Sequence, residues 1–158
     1  MNIRAIESRD WPALMAVQAA CYTELEPESE AALKSKWQLA PATCLALADA
    51  QDRLVGYCLA HPWNGQALPK LGVKTTPADG ERLYLHDLAI APSARGKGRA
   101  KSLVEAVLKC AKRQGFKKVT LVSVQGSQGF WQGCGFAPSA RQAPPDYGDE
   151  AQVMAQHL

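Results

Sequence analysis

Residues 88–100 read Leu88-Ala89-Ile90-Ala91-Pro92-Ser93-Ala94-Arg95-Gly96-Lys97-Gly98-Arg99-Ala100, and this order decides the architecture around them. An apolar strand ends near Ile90, Pro92 turns the chain, and a glycine-rich loop leads straight into a helix. Small residues at Gly96, Gly98 and Ala100 let an anionic group come close to the backbone. The free N–H groups of a helix's first turn point at such a group, and the helix dipole favours negative charge there. Arg95, Lys97, Arg99 and Lys101 add positive charge. The spacing matches neither the GxxxxGK[ST] loop nor the GxGxxG dinucleotide fingerprint. The plainer alternative is an exposed basic turn whose glycines only permit the bend.

After the loop, Ala100, Leu103, Val104, Val107, Leu108 and Ala111 recur at helical spacing and form one apolar stripe, with Gly115 as a left-handed stop. Lys118 to Val124 reads as the next strand. Strand, basic loop, helix and strand therefore form a βαβ unit with a right-handed crossover. Upstream, Asn2 to Ile6 is a short strand. Ser8 or Asp10 caps a helix carrying Leu14, Val17 and Cys21, with Pro12 in its first turn. Pro27 and Ser29 open a second helix that passes Leu33 and Trp37 and ends before Pro41. Thr43–Ala48 and Leu54–Ala60 form a hairpin across Asp49-Ala50-Gln51-Asp52. Pro62 to Gly80 is a long loop, and Leu83 to Ile90 returns to strand. Downstream, Ser127–Gly133 is a short helix, Phe136 begins a strand, and Gln152–Leu158 is the last one. The whole is a mixed α/β fold, expected to be a single domain over residues 1–158.

The composition is that of a folded protein: 47% hydrophobic and 21% charged residues. No stretch approaches the roughly 20 apolar residues of a membrane span, and Met1–Glu7 lacks the apolar core of a signal peptide. A cytoplasmic protein is the expectation. Cys21, Cys44, Cys58, Cys110 and Cys134 include no CxxC pair, and His61, His86 and His157 are scattered. Neither a disulfide framework nor a metal site is expected. The net charge is only +3, yet residues 95–118 hold nine of the 18 basic residues against one acid, Glu105. Such a local field suits an anionic ligand. A nucleic-acid partner for the basic helix finds no aromatic–basic interleaving or recognition motif in support.

These residues resemble a known family. Arg95-x-x-Gly98-x-Ala100 after Leu88-Ala89-Ile90 looks like the acetyl-CoA signature of the GCN5-related N-acetyltransferases (GNAT), and Phe130-Trp131-Gln132-Gly133-Cys134-Gly135-Phe136 is similar to the family's later FYxxxGF element. The order of elements matches over nearly the whole chain. The resemblance implies a sheet with helices on both faces, splayed between strand 83–90 and strand 118–124. In that opening the pantetheine arm would pair with the backbone around Leu88, Ala89 and Ile90. The pyrophosphate would sit on the amides of Arg95, Gly96, Lys97, Gly98, Arg99, Ala100 and Lys101, with Trp131 beside the cofactor. Similar proteins are commonly homodimers.

Acetyl transfer to an amine needs a base for the amine, a donor for the oxyanion and stabilisation of the leaving thiolate. The resemblance assigns the oxyanion donor to a backbone N–H near Leu88. Tyr84-Leu85-His86-Asp87 supplies candidate bases, with Glu81 a weaker one. Strand alternation puts His86 and Asp87 on opposite faces unless a bulge intervenes. Their alternative role is a polar pair tying the sheet to its neighbours. Trp131 stands where the family commonly has the tyrosine acid, and an indole N–H cannot serve as one. Water and a helix N-terminus then stabilise the thiolate, or the hydroxyl of Tyr84 or Tyr147 substitutes, or the chain is a non-catalytic acyl-CoA sensor. Trp131 otherwise reads as an apolar wall beside Phe130 and Phe136. His61-Pro62-Trp63-Asn64 and Asp146–Glu150 are expected near the acceptor, or as a solvated turn.

Overall fold

The computed structural model describes residues 1–22, 27–74, 81–124 and 126–158. Seven strands form one mixed sheet: β1 (Asn2–Ala5), β2 (Leu45–Ala48), β3 (Leu54–Pro62), β4 (Arg82–Ile90), β5 (Lys118–Ser123), β6 (Ala137–Pro138) and β7 (Gln152–His157). Their spatial order is β1-β2-β3-β4-β5-β7-β6, and only the β4–β5 pair is parallel.

Helix α1 (Trp11–Cys21) and helix α2 (Glu30–Leu39) cover one face. Ser29 caps α2 as expected, its Oγ accepting from Ala32 N at 3.1 Å. Trp11, Leu14, Val17 and Leu33 pack there on Ala46, Tyr57, Leu59 and Ala89. Helix α3 (Arg99–Arg113) and the short α4 (Gln128–Gly133) cover the other face. The stripe read from sequence lands as expected, with Leu103, Val104, Val107 and Ala111 buried against Cys58, Ala60, Leu83, Leu85, Val119 and Leu121. Burying a side chain the size of Leu103 or Val107 is worth about 1.5–3 kcal/mol. That packing fixes the start of α3, and with it the loop before the helix, against the sheet.

The sheet parts where the resemblance places the splay. β4 and β5 pair only at Arg82↔Lys118, Leu83↔Val119 and Tyr84↔Thr120. Beyond Tyr84 the second edge of β4 has no strand beside it, although β3 pairs with β4 as far as Gly56↔Ile90. The β3–β4 register also shifts between Leu59 and Ala60, which face Asp87 and Leu85. His86 is the extra residue, a bulge on β4.

Candidate active site

A cavity of about 310 Å³ fills the space where β4 and β5 part. One half is lined by Leu88, Ile90, Arg95 and Ala100 on one side and by Leu121, Val124, Ser127 and Trp131 on the other. Ala89 also borders it. The N–H of Ala91 donates to Val55 O across the β3–β4 pair. Strand alternation therefore turns the peptide groups of Leu88 and Ile90 towards the opening. Their carbonyls already accept hydrogen bonds: Leu88 O from the Tyr22 hydroxyl at 2.7 Å, and Ile90 O from Arg95 Nε at 3.1 Å. Their amides are the better partners for an arm lying in the gap.

The turn at the cavity's mouth has three consecutive residues in the left-handed region, Gly96 at φ 100°, Lys97 at 57° and Gly98 at 68°. Glycine suits this conformation at 96 and 98, and Lys97 adopts it with a side chain. Space in front of Gly96 and Gly98 is open, since an added Cβ would meet nothing within 4 Å. Among the described residues, the amides of Gly96, Lys97, Gly98, Ala100 and Lys101 donate to no backbone carbonyl, whereas Arg99 N reaches Gly96 O. The four basic side chains divide by role. Arg95 bonds Ile90 O and Cys21 Sγ, and Arg99 Nη1 donates to Ala94 O at 3.0 Å, so both brace the turn itself. Lys97 and Lys101 project into solvent.

At the far end the cavity reaches Gln18, Tyr22, Glu28, Leu71, His86, Asp87 and Tyr147. His86 and Asp87 border the same cavity, and the bulge is the reason. Asp87 pairs with Leu59, while the His86 ring stands 6.2 Å from that of His61 and 6.0 Å from that of Tyr84, also on the α1–α2 face. The expected separation of the two side chains is thus overturned by one extra residue.

Glu28 was not singled out by sequence. It precedes α2, and the only cue was its nearness to the Ser29 cap. His86 Nε2 lies 2.7 Å from Glu28 Oε1, and Gly72 N donates to Oε2 at 2.9 Å. Gln18 holds the Glu28 backbone from both sides, its Nε2 donating to Glu28 O and its Oε1 accepting from Glu28 N. Burial pushes the carboxyl up, but the His86 hydrogen bond and charge, the Gly72 amide and the nearby Lys36 outweigh it and hold it below its ordinary value. The carboxylate form is therefore the one present near neutral pH. Asp87 differs: burial raises it, against the His86 charge and the hydroxyls of Tyr22 and Tyr57, and Tyr57 donates to it at 2.7 Å. Asp87 is the structural anchor of the Tyr57 hydroxyl.

The tyrosine candidates also separate. Tyr147 borders the cavity and donates to Pro69 O at 2.7 Å. Tyr84 is fully buried behind it, is not among the described lining residues, and shares a 2.8 Å hydrogen bond with the Tyr147 hydroxyl. With Tyr147 donating to Pro69, Tyr84 donates to Tyr147. Burial raises both phenols above their ordinary value. Neither is placed to hand over a proton. Trp131 does both things considered for it: it borders the cavity, and it packs edge-on against Phe130 and Phe136 at 5.0 and 5.7 Å. His61 and Trp63 are buried in and just beyond β3 and are not among the described lining residues of the cavity, and Asp146 is engaged by Leu71 N. Glu81 carries its role on the backbone, its carbonyl accepting from Lys117 N at 2.7 Å. Among the described residues no group of three His, Cys, Asp or Glu side chains could hold a metal ion. Nor is any described helix long and apolar enough to cross a membrane.

The model of the acetyltransferase (GNAT) family matches residues 11–136, from the first residue of α1 through the glycine turn to Phe136. The chain belongs to this family. Two relatives from Rattus norvegicus are similar in sequence. N-acetyltransferase 8F1 is 31% identical over 118 residues, covering 67% of this chain and 53% of the relative. N-acetyltransferase family 8 member 2 is 37% identical over 107 residues, covering 60% and 47%. The chain thus spans about half the length of the curated relatives it matches. Solved structures share the fold across 99% of this chain. Ard1 from Thermoplasma volcanium has a TM-score of 0.77 at 15% identity over 97% of its own length. A GNAT-like decarboxylase, GphF, in complex with isobutyryl-CoA, has 0.79 at 20% over 99%. The NatC complex bound to Gag peptide and CoA includes a chain with 0.76 at 19% over 98%.

Proposed function

We propose that this chain transfers an acetyl group from acetyl-CoA to a primary amine by direct attack in a ternary complex. One observation carries the reading. A single cavity leads from the unsatisfied amides of the 96–101 turn, along the open edge of β4, to a buried carboxylate held by a histidine. Pyrophosphate suits the first, a pantetheine arm the second, and an ammonium group the third. CoA and isobutyryl-CoA in the GphF and NatC structures are consistent with a CoA thioester as donor.

In this proposal Glu28 takes the proton of the arriving ammonium. The freed nitrogen lone pair attacks the thioester carbonyl, forming the C–N bond, and the tetrahedral oxyanion accepts from the backbone N–H of Leu88. Collapse breaks the C–S bond, and the nitrogen gives up its second proton through water to the departing thiolate, leaving the amide and the free thiol. His86 keeps Glu28 ionised and aimed, and Asp87 holds the buried Tyr57 hydroxyl. No cysteine takes part. Cys44 and Cys58 are fully buried, and burial pushes the Cys44 thiol up to about 12.

The second reading, a CoA-binding sensor without transfer, is favoured by Trp131 in the place of a hydroxyl acid. Thiol release measured with a panel of primary amines separates the two. A transferase liberates CoA in proportion to acetylated amine. Binding of acetyl-CoA with no release for any amine would overturn the transferase reading and leave the sensor.

A further inference from the structure

Behind the proposed base lies a cluster of buried rings that the reaction outlined above does not use. The Tyr84 ring lies 5.7 Å from His61, 5.7 Å from Trp63 and 6.0 Å from His86, and the two histidine rings are 6.2 Å apart. His61 is 1% exposed and the His86 side chain not at all. One nitrogen of each ring has a protein partner: His61 Nδ1 lies 2.9 Å from Pro62 O, and His86 Nε2 lies against Glu28. The other two, His61 Nε2 and His86 Nδ1, are buried without one among the described residues.

Chemistry fixes which of these atoms carry hydrogen. A carbonyl only accepts, so His61 Nδ1 is the N–H. Desolvation, opposed by the Pro62 carbonyl, pulls His61 down to about 3, so the ring is neutral and its Nε2 is a bare lone pair. Beside an ionised Glu28, His86 Nε2 must also be an N–H, and in the neutral form of the ring Nδ1 is then a second bare lone pair. Two buried acceptors on neighbouring rings call for one donor with two hydrogens, and a water molecule is the smallest that fits. The Trp63 indole N–H, also buried and unpartnered, belongs to the same cluster.

We propose that His61 is a positioning residue for the Glu28–His86 pair. One buried water donates to His61 Nε2 and to His86 Nδ1, and this bridge holds His86 in the tautomer whose Nε2–H points at Glu28. The inference rests on the proposed role of Glu28. Every group facing His86 from neighbouring elements fits the assignment. Glu28 is the anion, Lys36 of α2 donates to Ala32 O and Val73 O, Asp87 is capped by Tyr57, and the Tyr84 hydroxyl is spent on Tyr147. Among these described groups, none competes for His86 Nδ1.

The test uses the whole chain with ring-¹⁵N-labelled histidine. In the wild type above pH 7.5, the His86 signals are expected to show hydrogen on Nε2 and a hydrogen-bonded bare Nδ1. His61→Phe keeps a ring but removes the acceptor. It is expected to mix the His86 tautomers and lower kcat about tenfold, with KM for acetyl-CoA within twofold. His61→Gln places an amide oxygen near the former Nε2 and is expected to restore the tautomer and most of kcat. Hydrogen on His86 Nδ1 in the wild type overturns the proposal. So does a His61→Phe protein with unchanged His86 signals and unchanged kcat. Should His61→Phe not fold, the wild-type and His61→Gln spectra decide. A chain that transfers no acetyl group at all defeats the enzymatic reading, while the spectra still judge the bridge.

Discussion

Placing a carboxylate in the 96–101 turn should remove cofactor binding and leave the fold standing. Gly98 has φ 68°, and a Cβ there meets nothing within 4 Å. Gly98→Glu therefore creates no clash, and its cost to the fold is the left-handed backbone penalty of about 1–2 kcal/mol. Lys97 already carries a side chain in that region at φ 57°. A loss of that size leaves most of the ~5–15 kcal/mol of a typical domain and lowers Tm by roughly 3–8 °C. Binding responds differently. A carboxylate about 6 Å from one phosphate charge, at an effective dielectric near 20, repels it by about 3 kcal/mol. Physiological salt, with a Debye length of about 8 Å, roughly halves this. Two phosphate charges then weaken acetyl-CoA binding about 100-fold. Titration calorimetry with acetyl-CoA and thermal unfolding measure the two effects separately. Gly98→Ala carries the same strain without the charge, and is expected to share the drop in Tm while losing much less affinity. A folded Gly98→Glu protein that binds acetyl-CoA within twofold of the wild type refutes the phosphate assignment.

Three further outcomes follow from particular contacts. Glu28→Gln keeps an acceptor for His86 and Gly72 but removes the base, so kcat should fall about 10²–10³-fold with acetyl-CoA affinity unchanged; a fall of less than tenfold excludes Glu28 as the base. Lys36 is fully buried with two carbonyl partners, and burial lowers its pKa against the pull of Glu28 and Asp87. Lys36→Met should leave stability unchanged or higher, and with one less positive charge near Glu28 the rising limb of kcat should move to higher pH. Asp10, 3% exposed, accepts from both Arg4 NH1 and NH2 and from Glu7 N, so Asp10→Ala should cost about 2–3 kcal/mol in urea unfolding without altering acetyl-CoA binding. Burial raises the carboxyls of Asp10 and Glu28, but their partners win and both sit below their ordinary 3.8 and 4.5. Their stabilisation is complete above those values and is lost as pH falls through the lower folded-state ones, so acid unfolding should begin below about pH 4.5.

Local sequence signals set the frame and the glycine turn at the cavity's mouth. Helical periodicity from Ala100 to Ala111, the Ser29 cap, the strand ending at Ile90 and the glycine turn are local signals. Each depends on residues a few positions apart, and the backbone obeys them directly. Tertiary structure alone decided the far end of the cavity. Glu28 and His86 are 58 positions apart and meet because the segment leading into α2 packs against β4, so no local pattern announces the pair. His86 shares a face with Asp87 because of a bulge set by the β3–β4 register, which depends on how two strands pair and not on either strand alone. Tyr84 and Tyr147 read from sequence as free hydroxyls, yet folding binds one to the other and the second to Pro69. Arg95 and Arg99 read as phosphate ligands, yet each turns back onto a carbonyl of its own loop. A side chain's chemistry is written in the sequence, but whether its polar atoms remain free for a ligand is settled by which other polar atoms burial brings within 3 Å.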